Sequence, residues 1–253
     1  MDIPLNFQWI EAVMLAAVRI TTFLVIAPPF AHNAIPLRIK GMLGIGLAMA
    51  VAPRVTEGYV SADTGGFITA LILEIVVGGA LGFLVMIVFS AVQSAGMLLD
   101  MFSGFQVAQS FDPQAGIDGA QFTRLFHMTA LALLFASGGY QLIIGGLART
   151  FSALPLGGGI DLAEPVEAMT GAVGQMLISA VQITGPLLVV LFLADVGLGL
   201  LTRVAPALNA LALGFPLKIL ITLILGGTVL VALPGIVSSL TGQAVDTVIG
   251  VVK

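Results

Sequence analysis

Long apolar runs, interrupted at a few polar and proline-rich points, set the pattern of this chain. Six runs stand out: Trp9–Ala27, Ile39–Ala52, Phe67–Leu99, Gln121–Gly146, Glu167–Thr202 and Ala207–Val237. The first ends at Pro28-Pro29 and the second at Pro53, because proline cannot donate the next helical hydrogen bond. None shows the alternation over about ten residues that a membrane barrel strand requires. Only helices and closed barrels satisfy their backbone in lipid. The pattern therefore predicts an all-α fold, a membrane-associated bundle of about six long apolar helices broken by Gly and Pro.

The run lengths complicate a simple row of spans. A spanning helix needs about 20 residues. The second run has about 14, the length of a buried or re-entrant element. The third and fifth have about 33 and 36, or about 50 and 54 Å if continuous. The hydrocarbon core is about 30 Å thick. Either these helices break, at Gly78-Gly79 or Gly96 in the third and at Pro186 in the fifth, or they project beyond the bilayer.

Composition sharpens this picture. Of 253 residues, 58% are hydrophobic and 9% charged, and mean hydropathy is +1.13. A soluble domain carries about 25% charged residues. The chain cannot hydrate its own surface and belongs in a bilayer, a large assembly, or both. Cysteine is absent and only His32 and His127 supply imidazole, so no metal site or cofactor is expected. The net charge of −4 is spread along the chain, so no basic patch invites nucleic acid. No hydrolase, kinase, P-loop or dinucleotide motif is present, and no enzyme activity is expected. With no Lys or Arg before Arg19, the start lacks the basic region of a cleavable signal, so the first run is expected to remain in the mature protein. One domain, 1–253, is expected.

Charge suggests an orientation. The loop after the first run carries His32, Arg38 and Lys40, and the loop between the last two runs is flanked by Arg203 and Lys218. The second and fourth loops are acidic. The positive-inside rule then makes the first and fifth loops cytoplasmic and both termini periplasmic. The third loop, with Asp100, Asp112 and Asp118, breaks the pattern.

That region is also the least regular. Gly104, Pro113 and Gly116 break helix, while Phe105 and Phe111 favour burial, each followed by a polar residue, Gln106 and Asp112. Irregular backbone at membrane depth survives where it is buried in protein or lines a cavity. Two readings stand: a loop that fills or gates a pore, or an ordinary interhelical connection with buried aromatics. Arg19, Glu74, Asp195, Arg203 and Lys218 lie in or beside apolar runs, where charges mark pathways or pairs. Each is isolated, which favours interhelix or intersubunit ion pairs over a proton relay. Gln93, Gln175 and Gln182 are expected to bond helix to helix.

Several runs in fixed order resemble a known family. They are Pro36-Leu37-Arg38-Ile39-Lys40, Gln93-Ser94-Ala95-Gly96, Gly104-Phe105-Gln106 through Ser110-Phe111-Asp112-Pro113, Leu154-Pro155-Leu156-Gly157-Gly158, Arg203-Val204-Ala205-Pro206 and Gly214-Phe215-Pro216-Leu217-Lys218. Together they resemble the flagellar biosynthetic protein FliR family, a core subunit of the flagellar type III export gate. The last two runs are the most specific. The resemblance implies a FliP-like portion fused to a FliQ-like hairpin. It implies assembly with FliP-like and FliQ-like subunits, beside FlhB-like and FlhA-like components and the basal-body ring. It places the protein in the bacterial inner membrane, with much of it on the periplasmic side, in contact with lipid and unfolded flagellar substrates. It also implies that Gly104 to about Gly119 plugs the closed channel. The injectisome counterpart of the same gate is the closest alternative. A six-helix small-solute transporter is a more distant one, which would need a midplane site and internal repeats.

Overall fold

The computed structural model describes residues 7–32, 34–105, 121–158, 163–205 and 210–251. Among these, seven helices and no strands occur. They are α1 (Phe7–Ile26), α2 (Leu37–Val55), α3 (Thr64–Ser103), α4 (Gln121–Ala136), α5 (Gly139–Ala153), α6 (Ala163–Val204) and α7 (Ala210–Gly250). The all-α expectation is borne out.

The long helices settle the question raised by run length. α3, α6 and α7 hold 40, 42 and 41 residues, about 60 Å each. Neither Gly78-Gly79 nor Gly96 breaks α3. Pro186 lies inside α6, and Pro216 and Pro234 inside α7. In an apolar helix, neighbouring groups can re-satisfy the carbonyl that proline frees. The break falls instead within the fourth run. Ser137-Gly138 separates α4 from α5 at a 74° bend. Gly138 has φ 72° there, a left-handed conformation that glycine adopts at low cost. α2 is longer than its apolar run, continuing two residues past Pro53.

Four helices are long and apolar enough to cross a membrane: α1, α3, α6 and α7. The bent α4–α5 pair makes up to five. α2 is not among them, so a loop count that alternates sides at all six runs does not carry over.

The chain groups into two compact units. The first comprises residues 1–89, 134–173 and 240–253, and the second 90–133 and 174–239. Leu15, Phe23, Leu24, Leu81 and Leu84 are fully buried in the first, and Leu99, Phe126, Leu191 and Leu233 in the second.

Small residues bring α1 and α3 of the first unit together. A Cβ on Gly78 would sit 2.3 Å from the Arg19 carbonyl oxygen, and one on Gly82 would sit 3.1 Å from that of Phe23. The spacing is the Gly-x-x-x-Gly that lets helix backbones approach in an apolar medium. Gly79, next in sequence, is roomier, its nearest neighbour 3.7 Å away. Gly78→Ala is therefore expected to cost about 1–3 kcal/mol through overpacking. Gly79→Ala should be nearly silent. Accumulation in membranes and heat resistance after extraction measure both.

Candidate functional site

Gly104 and Phe105 are the first residues of the suspected plug, and they are described. Gln106, Phe111, Asp112, Pro113 and Gly116 lie outside the described residues. What the structure supplies is the pair of roots from which that stretch departs and returns.

Both roots belong to the second unit. Gly104, with φ 84°, ends α3 in a left-handed turn. A Cβ there would sit 2.6 Å from the Phe215 ring of α7, so close packing and backbone conformation both require glycine. Phe105 stacks edge-on against Phe122 at 5.6 Å between ring centroids, and Phe122 against Phe126 at 6.0 Å. Edge-to-face pairs add to the energy of burial. A Cβ on Gly96 would meet the Thr123 Cα at 2.6 Å, so α3 and α4 touch backbone to backbone.

The polar centre of this junction is Asp100. The sequence reading treats it as a charge of the acidic third loop. The structure places it inside α3 with no solvent exposure. The backbone amides of Phe122 and Thr123 donate to its two carboxylate oxygens at 2.9 and 2.8 Å. The Thr123 hydroxyl donates at 2.7 Å. The first amides of any helix lack partners within it. A side-chain oxygen commonly accepts from them as an N-cap. Asp100 performs that role from another helix, and its negative charge suits the positive end of the α4 dipole.

In the first unit, Arg19 of α1 and Glu74 of α3 form a buried ion pair. Arg19 Nε donates to Oε2 of Glu74 and one terminal nitrogen donates to Oε1 at 2.9 Å. The other terminal nitrogen donates to the Leu154 carbonyl at 3.0 Å. The Gly157 amide donates to Glu74 Oε1 at 3.1 Å. The guanidinium also lies over the Phe151 ring, 4.4 Å from its centroid, a cation–π contact. One pair thus binds two helices to the segment after α5. Arg19 and Glu74, each alone in its own apolar run, pair between α1 and α3.

Glu11 was not singled out in sequence. It is buried in α1 and accepts bonds from the Ser61 hydroxyl and, at 3.4 Å, the Tyr59 hydroxyl. Burial, and then the Glu11 charge and hydrogen bond, raise the Tyr59 pKa above its ordinary 10.0. A raised pKa stabilises the fold while the phenol stays protonated. The contribution is therefore present at neutral pH and lost only as pH climbs through the raised value.

Asp195 of α6 pairs with Lys218 of α7 at 2.5 Å. This too is an interhelix pair, but Asp195 is 46% exposed. Arg203 is exposed at the end of α6. Gln93, Gln175 and Gln182 are exposed as well. Among the described residues, no hydrogen bond joins them to another helix, and those faces stay uncovered. No group of three or more metal-ligating side chains occurs among the described residues.

Long apolar helices tied by buried polar pairs define a multi-pass membrane protein. Residues 10–244 match the family described as bacterial export proteins, family 1. The flagellar biosynthetic protein FliR of Pectobacterium carotovorum is 27% identical over 239 residues, covering 94% of this chain and 92% of that protein. FliR of Bacillus subtilis is 27% identical over 221 residues, 85% of this chain and 84% of its own. The Yop proteins translocation protein T of Yersinia pestis is 28% identical over 175 residues, 68% of this chain and 67% of its own. The chain belongs to the FliR family of bacterial export proteins. The resemblance read from its motifs is borne out.

The buried pair yields a test. Truncating one partner strands the other charge, so Arg19→Ala or Glu74→Ala should each cost about 3–5 kcal/mol. Replacing both together, as Arg19→Met with Glu74→Leu, should recover most of the loss. The readout is accumulation in membranes and unfolding temperature after extraction. A double variant no better than either single would show that the pair does not act as a unit.

Proposed function

We propose that this chain is a subunit of the flagellar type III protein export gate, helping to form and close the channel through which unfolded flagellar proteins cross the inner membrane. The observation that carries this reading is family membership over residues 10–244 together with FliR relatives aligned along most of both chains. The fold supports it. Only 28% and 22% of the most apolar stretches of α6 and α7 are buried within the chain, against 56% and 50% in α1 and α3. Leu193, Leu200 and Val231 are among the side chains left uncovered. Such faces call for lipid or for like-built helices.

In our reading the covering helices belong to FliP-like and FliQ-like subunits, with FlhB-like and FlhA-like components and the basal-body ring nearby. The chain acts as channel wall and closure, without catalysis of its own. It sits in the bacterial inner membrane, much of it on the periplasmic side. Helices of about 60 Å support this, since they exceed a hydrocarbon core of about 30 Å. The stretch from Gly104 to Gly119 is the plug. Support comes from its roots, since a gating segment needs fixed ends and here both are fastened by buried aromatic and polar contacts. The injectisome reading draws on the Yersinia relative, which aligns over a smaller share of the chain than the flagellar ones.

Three tests follow from this reading. Co-expression with the FliP-like and FliQ-like subunits of a flagellar system should yield one co-purifying complex, and the chain expressed alone should accumulate poorly. Asp195→Leu should weaken that complex while Asp195→Asn, which keeps a hydrogen-bond acceptor, should retain most secretion. Loss of transport in an assembled Asp195→Asn gate would instead favour a proton relay. Deleting Gln106 to Asp118 should leave the assembled gate intact but leaky to ions and small solutes. Wild-type conductance in a normally assembled deletion would make that stretch an ordinary connection.

A further inference from the structure

Lys40 stands on the first turn of α2 and is only 7% exposed. No hydrogen bond or ion pair reaches it among the described residues. Every fully buried side-chain nitrogen and oxygen there does have a partner. The Lys40 ammonium is therefore not sealed in. Its stem is buried and its tip reaches the surface, as long cationic side chains do on apolar ground. Gly44, one turn on along the same face, meets Thr21 of α1. Lys40 lies nearer the turn that joins the two helices, beside α1 residues after Thr21. Thr22 to Ile26 include no acid. No Asp or Glu occurs between Glu11 and Glu57, or along α3 between Glu74 and Asp100. The helices α1, α2 and α3 therefore offer this cation no counter-charge at that end.

What surrounds Lys40 defines the chemistry of the missing partner. Arg38, in the same turn, is exposed and likewise has no partner among the described residues. No side chain caps the start of α2. Cα–Cβ bonds tilt toward a helix N-terminus, so the Lys40 stem runs back toward that start. The first amides of the helix and the positive end of its dipole act there together with the two cations. Beside them Leu37, Ile39, Met42 and Leu43 are exposed. A small free anion would satisfy the charges and leave this apolar face uncovered. A phospholipid with a negatively charged headgroup satisfies both.

We propose that the start of α2 binds an anionic phospholipid. Lys40 and Arg38 hold its phosphate, and its acyl chains lie on Leu37, Ile39, Met42 and Leu43. Basic sites beside membrane helices hold such headgroups, each cation contributing at the lipid surface. The site requires only a membrane around the chain, not the export-gate reading.

The experiment uses the chain with whatever subunits co-purify from its own membranes, stripped of lipid in detergent. Phosphatidylglycerol or phosphatidylcholine with the same acyl chains is added back, and native mass spectrometry reads the affinity of the first lipid bound. The wild type should prefer phosphatidylglycerol. Lys40→Gln and Arg38→Gln should each weaken its binding about fivefold, and the double variant about twenty-five-fold. Phosphatidylcholine binding should not move. Wild-type affinity for phosphatidylglycerol in the double variant would overturn the proposal. An equal loss for both lipids would also overturn it, since that reports damaged packing rather than a lost headgroup contact. Inorganic phosphate that displaces the lipid at equal concentration would show that the apolar face contributes nothing, and would remove phospholipid as the occupant. Loss of a subunit from the Lys40→Gln complex at unchanged lipid affinity would assign the cation to a partner's carboxylate instead. If Lys40→Gln does not accumulate, Arg38→Gln decides, because that side chain is exposed. Unchanged phosphatidylglycerol affinity in Arg38→Gln would then overturn the proposal.

Discussion

A carboxylate without water must find its donors inside the protein. That constraint organises this molecule, because so few side chains can serve as donors. Glu74 takes the guanidinium of Arg19, 55 positions away, and Glu11 takes Ser61, 50 positions away. Asp100 takes amides 22 and 23 positions on. Asp195 takes Lys218. Every one of these bonds ties together segments that are distant in sequence. In a chain where almost any apolar face suits any other, hydrophobic contact gives little register. A single buried acid that tolerates one arrangement of donors does. Glycine provides the complementary condition. At Gly78 and Gly96 the absence of a Cβ brings backbones close enough for these short-range bonds to form.

The same constraint bears on where the helices end. Helix interiors here are permissive: three prolines lie within α6 and α7 without ending them. Helix termini are not, because each exposes backbone groups that need partners. The α4 start obtains them from Asp100. The α5 start follows Gly138 in a left-handed conformation, its first amides continuing a turn from Phe135. Breaks therefore occur where a buried carboxylate or a glycine turn can accommodate them, not at every proline.

Much of this was legible in the sequence, and the failures have physical causes. Hydropathy located the helices because burial of apolar side chains is what the medium selects. It could not tell whether a 33-residue run would break, since proline and glycine cost less where neighbouring groups re-satisfy the backbone. Arg19 and Glu74 were recognisable as charges in need of partners, yet nothing local links positions 55 apart. Asp100 was misread as a loop charge because it lies at the edge of an apolar run. The signal was present further along: the first amides of the helix at Gln121 need acceptors from some side chain. Glu11 had no such signal. Its donors, Tyr59 and Ser61, lie in the polar connection before α3 and resemble ordinary surface residues.

The buried pairs and the exposed one impose different demands. Arg19–Glu74 and the Asp100 junction are complete within this chain, with every buried side-chain nitrogen and oxygen of the described residues partnered. Asp195–Lys218 is not sealed in this way, since nearly half of the Asp195 side chain remains accessible beside uncovered Leu193 and Phe192. Hydrocarbon accommodates the leucine and the phenylalanine but strongly disfavours the carboxylate. Gln175 and Gln182, exposed on the same helix, are disfavoured there to a lesser degree. The α6–α7 face therefore suits neither plain lipid nor plain water. Helices of a neighbouring subunit, apolar along most of their length and carrying a few matched polar groups, satisfy both demands at once. An assembly built from similar helical subunits supplies such a neighbour, which is why the export-gate reading accounts for this surface where a self-contained transporter would not.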